Sequence, residues 1–65
     1  MDKYEVAVLA EDYERKRMAF EAHHMRNVYG LKPEERIEAG IAYHVVEAEM
    51  IEALGKLQRA KNAVQ

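Results

Sequence analysis

The sequence predicts an all-α chain. Two long helices fold back on one another as an antiparallel αα-hairpin, and the hairpins assemble into a four-helix bundle or larger oligomer. Three observations predict this. Ala, Glu, Lys, Arg, Met and Leu, all good helix formers, dominate the 65 residues. The single proline and one of only three glycines fall together in NVYGLKPEER, residues 27 to 36. On either side of that stretch the apolar residues recur at helical spacing.

Each element has its own signals. Asp2 is placed as an N-cap, with Glu5 three residues on in a variant of the capping box. No glycine or proline follows until Gly30, which stands where a helix commonly ends on a left-handed residue. Pro33 suits the first turn of a new helix, where its missing N–H has no partner to lose. Glu34 and Glu35 favour the positive end of that helix, and Lys56, Arg59 and Lys61 the negative end. These signals give one domain over residues 1–65, with helix 1 over about 2–29, a turn at 30–32 and helix 2 over about 33–62. The two halves show no internal repeat.

The faces of the helices bear on assembly. Helix 1 carries one stripe of Val6, Leu9, Ala10, Tyr13, Phe20, His24 and Val28, interrupted by Arg17, and a looser one of Tyr4, Ala7, Met18, Ala22, Met25 and Tyr29. Helix 2 repeats the doubling. Ile37, Ile41, His44, Val45, Ala48 and Ile51 form one stripe, and Ala39, Tyr43, Val46, Met50, Leu54 and Leu57 the other. A hairpin covers one stripe per helix, and monomers rarely leave the remainder in water. The sequence therefore predicts a homodimer or larger even assembly, with Met18, Met25, Tyr29, Tyr43, Val46, Met50, Leu54 and Leu57 at the interface between chains. The size of the chain points the same way, since a domain this small buries only about 60% of its unfolded surface.

Composition excludes several functions. There is no Ser, Thr or Cys, so every hydroxyl or thiol nucleophile except tyrosine is missing, and so are disulfides and thiolate metal sites. No glycine cluster could cradle a phosphate. No apolar run approaches the roughly 20 residues of a membrane span, and the N-terminal stretch lacks the basic start of a signal peptide. Together these point away from an enzyme and toward a cytoplasmic protein. The net charge of −2 argues against a dedicated nucleic-acid binder.

One constellation could carry chemistry. Glu21 and His24 stand three apart on helix 1, and His44 and Glu47 three apart on helix 2. In an antiparallel hairpin with this turn, positions whose numbers add to about 63 lie side by side. The four residues then fall within reach of a shared region. Carboxylates and Glu-x-x-His steps projecting into a bundle are how di-iron and di-manganese bundle proteins hold metal. Divalent iron, manganese or zinc is the cofactor this alternative implies. Against it, seam glutamates ordinarily pair with a neighbour such as Lys16 or Arg17, and half-buried histidines with a carboxylate or carbonyl.

Three functions follow, in descending order. The first is a helical interaction module that self-associates and docks a partner protein through its apolar faces, as a regulator, adaptor, inhibitor or assembly chaperone. The second is a carboxylate and histidine metal-binding bundle. The third is a nucleic-acid-binding regulator using the basic clusters at residues 14–17 and 56–61.

Overall fold

A computed structural model of the chain describes residues 3–24 and 29–64. Two α-helices, α1 (Lys3–His24) and α2 (Pro33–Val64), pack against each other as an α-helical hairpin. The molecule is a rod of 50 × 13 × 11 Å with a radius of gyration of 15.2 Å. A compact chain of this length has a radius of gyration near ~11 Å. The accessible surface is 5142 Å², against about 4,200 Å² for a folded monomer of this mass. A lone hairpin leaves an unusual share of its side chains in water.

The turn is closed differently from the sequence expectation. Gly30 does not take a left-handed backbone, so it is no C-terminal cap of the usual glycine kind. Tyr29, placed at the end of helix 1 by the sequence, sits with Gly30 in the turn itself. The polypeptide is instead pinned from the α2 side. The Lys32 backbone N–H donates to Glu35 Oε1 at 3.1 Å, and the Arg36 N–H donates to the Lys32 carbonyl at 3.0 Å. This makes Lys32 the N-cap, Pro33 the first helical residue and Glu35 the reaching-back half of a capping box. The Arg36 guanidinium reaches the Tyr29 carbonyl at 3.5 Å. The proposed cap Asp2 and the stripe residue Val28 lie outside the described residues.

The seam between the helices follows a spacing of alternating fours and threes. On α2 it runs Ala39, Tyr43, Val46, Met50, Ala53, Leu57, Ala60. On α1 the half-buried positions are Val6, Leu9, Ala10, Asp12, Tyr13, Lys16, Arg17, Phe20 and His23. Spacing of this kind keeps one stripe facing a neighbouring helix along its length. Among the described residues Ala53, Leu57 and Ala60 are the buried ones. They lie toward the open end, where alanine lets the two backbones approach. Near the turn larger rings fill the seam. Phe20 and Tyr43 meet with centroids 5.1 Å apart, and His24 packs on both. His24 Nδ1 and the Tyr43 hydroxyl lie 3.2 Å apart, in hydrogen-bond contact between the helices.

Candidate functional site

The site is built from what this seam leaves over. With Tyr43, Val46, Met50 and Leu57 turned to α1, the other stripe of α2 is left outside. Ile37 is 64% exposed, Ile41 61%, Val45 52% and Ile51 58%. With Ala48 they share one face, centred about 160° around the helix from the α1 seam. The stripe runs for about 21 Å along the axis. Its positions 37, 41, 44, 48 and 51 again alternate four and three, so α2 carries two helix-packing seams on nearly opposite sides. One is occupied by α1.

The five α2 residues expected at an interface between chains all lie along the seam within the hairpin. Leu57 is buried within the hairpin, and Tyr43, Val46, Met50 and Leu54 are half-buried along the seam with α1. The physical reason is length: the seam they belong to runs on through Ala53, Leu57 and Ala60, whereas the Ile37 stripe ends at Ile51. The longer stripe buries more against a helix the length of α1. Met18 on α1 and Tyr29 in the turn are exposed, and Met25 lies outside the described residues. The outward face of α1 is broken: Tyr4 and Val8 stand at one end and Met18 farther along, with exposed Glu11 and Arg15 between them.

The four candidate metal ligands do not gather. Glu21 is held by Arg17, which also takes Glu14 through a bidentate contact. His24 is engaged with Phe20 and Tyr43. His44, 76% exposed, lies on the far side with Glu47 Oε1 3.8 Å from its Nδ1. Among the described residues no three His, Asp or Glu side chains come together as a metal site. The helical hairpin separates them because His44 belongs to the outward stripe of α2 while His24 reaches into the inner one.

Cations of both basic clusters pair with acids along their own helices. Arg15 and Lys16 both pair with Asp12, at 3.6 and 3.4 Å, and Lys56 pairs with Glu52 at 3.4 Å. Arg17 shows the strongest local electrostatics. The hydrogen bond with Glu14, then the charges of Glu14 and Glu21, raise its pKa, and the same hydrogen bond holds the Glu14 carboxyl below the usual range. These contacts let a charged residue interrupt the α1 stripe without a bare cation facing the seam.

Fold and surface together define a two-helix hairpin whose second helix is faced with apolar side chains on both sides. No helix among the described residues is long and apolar enough to cross a membrane. No family model matches the chain, and neither the curated proteins nor the solved structures contain a significant match.

Proposed function

We propose that the chain is a small helical interaction module that self-associates through the outward face of α2. The observation that carries this is the exposed stripe of Ile37, Ile41, Val45 and Ile51. Burying apolar surface of this kind yields roughly 25 cal/mol per Å², and four β-branched side chains on one regular helix lose little rotamer freedom on packing. Because this face lies opposite α1, the assembly is a layer in which α2 is sandwiched between α1 and its new neighbour. The patches of Tyr4, Val8 and Met18 on α1 remain for a helix of a partner protein. A regulator, adaptor, inhibitor or assembly chaperone has these needs: an apolar helical surface with charged borders and no catalytic group.

Sedimentation equilibrium over the micromolar range tests the module. The wild type should exceed monomer mass, and Ile41→Asp should return it to monomer with its helix content intact, because a carboxylate there would have to be desolvated on association. A monomeric wild type, or Ile41→Asp assembling as well as wild type, overturns the proposal.

A further inference from the structure

The outward stripe of α2 carries enough detail to name its occupant and orientation. Resting on the self-association proposed above, we infer that the occupant is α2 of a second copy, packed antiparallel with Ile37 of each chain seated over Gly55 of the other.

Charge sets the direction. On this side of α2 the acids Glu34 and Glu38 lie at one end, beside the first two turns; Lys56 and Arg59 lie at the other, with Glu52 paired to Lys56 at 3.4 Å, and leave that end net basic. A parallel pair would stack Glu34 and Glu38 on their own copies, and Lys56 and Arg59 on theirs. Reversing one helix sets the acidic end of each chain beside the basic end of the other, and opposes the two helix dipoles favourably.

Gly55 sets the register. A glycine inside a helix costs about 1 kcal/mol relative to alanine, and of the two in α2 Gly55, unlike Gly40, stands on the line of the outward seam, where it leaves room for a close approach. Nothing within the hairpin supplies it. A Cβ built on Gly55 would meet only the far end of the Arg59 side chain, at 3.4 Å. By helical phase Gly55 falls on the outward seam, one step beyond Ile51 in the same alternation of four and three. Antiparallel seams pack in layers. When residues whose numbers add to about 92 share a layer, Ile37 faces Gly55, Ile41 faces Ile51 and His44 faces Ala48. Ile37, Ile41 and Ile51 are then covered, Val45 lies level with Glu47 at the edge of the stripe, and the bulky Ile37 meets the position of the seam with no side chain. Sliding the pair by one heptad, to a sum of about 85, sets Ile51 against Glu34 and leaves Gly55 unused. The chosen register also brings His44, the polar member of the stripe, next to Glu47 of the other copy, so it gains a carboxylate neighbour at the twofold axis.

Cysteine cross-linking reads this register directly, since the natural chain has no cysteine. The full chain is used at a concentration where the wild type is associated. Mild oxidation of Ile37→Cys mixed with Gly55→Cys, and of Ile41→Cys mixed with Ile51→Cys, should give mainly the mixed disulfide dimers. Ile41→Cys alone should cross-link poorly. Independently, Gly55→Leu should keep its helix content yet weaken association by about tenfold or more, because the seat for Ile37 is filled. Efficient Ile41→Cys self-cross-linking would set Ile41 against its own copy, as a parallel pair or another antiparallel register does, and would overturn the inference while leaving self-association standing. Unchanged association in Gly55→Leu would overturn the register in the same way. A wild type that stays monomeric overturns both this inference and the module itself.

Discussion

The two faces of α2 have much the same chemistry and different fates. The inner face presents Tyr43, Val46, Met50 and Leu57 to α1, and Leu57 is 6% exposed. The outer face presents Ile37, Ile41, Val45 and Ile51 to water, each more than half exposed. Apolar content does not separate them. Nor do small residues, since Ala48 and Gly55 lie outside as Ala53 and Ala60 lie inside; what differs is that α1 closes on Ala53 and Ala60, whereas Gly55 lies under the loose end of an arginine. The difference teaches that a helix can be amphipathic twice, and that the second face is a statement about assembly.

The largest effect expected on this contrast comes from truncating one residue on each face. Leu57→Ala should cost the fold about 2–3 kcal/mol, since it leaves a void where no other side chain can move in. Ile41→Ala, already in water, should change it by less than about 0.5 kcal/mol. Urea unfolding, at a dilution where both variants are monomeric, checks the pair; equal losses would mean the two faces are not distinct.

Next in size is the start of α2, which serves both faces alike. Glu35→Ala removes the acceptor for the Lys32 N–H and should lower stability by about 1 kcal/mol. Glu35→Gln keeps the geometry and should recover most of that. Neither should alter the association constant once stability is accounted for, which thermal melts beside sedimentation would show.

The two glycines of α2 sharpen the contrast further. A Cβ at Gly40 meets nothing within 4 Å, so Gly40→Ala should stabilise the helix by about 0.5–1 kcal/mol and leave association unchanged. Gly55→Ala should stabilise the monomer similarly but weaken the assembly, and comparing melting temperature with dimer affinity for the two variants separates these effects.

The smallest effect belongs to α1. The hydrogen bond from Arg17 lowers the pKa of Glu14 in the folded chain. Its support is therefore complete above the ordinary glutamate value of about 4.3 and fades as pH falls below it toward the lower folded value. Both groups are exposed to solvent screening, so the gain is slight. Wild type should lose melting temperature marginally faster than Glu14→Gln between about pH 5 and pH 3, and a parallel pair of curves would remove the contact from any account of stability.

Much of the hairpin was legible because it is written locally. Proline at 33, acids at 34 and 35 and an unbroken run of helix formers each act within a turn or two of their own position. The Glu35 contact to Lys32 was legible too, as a carboxylate three residues after the N-cap, but a lysine at that position hides the pattern normally recognised by its serine or threonine. Gly30 misled because glycine permits a left-handed backbone without requiring one. The metal set was legible only within each helix: spacing brings Glu21 near His24 and His44 near Glu47, but says nothing about whether the two pairs share a side.

The sequence by itself determined two helices, a break near Gly30 and Pro33, the antiparallel register that sets Phe20 against Tyr43, and the presence of two apolar stripes on each helix. Only the tertiary structure decided which stripe of α2 faces α1. Periodicity fixes the angle between stripes on one helix, whereas the choice of inner stripe depends on the total contact each offers to a second helix. The stripe that extends through Ala53, Leu57 and Ala60 meets α1 over a longer run and at closer range, and that leaves Ile37, Ile41, Val45 and Ile51 on the outside.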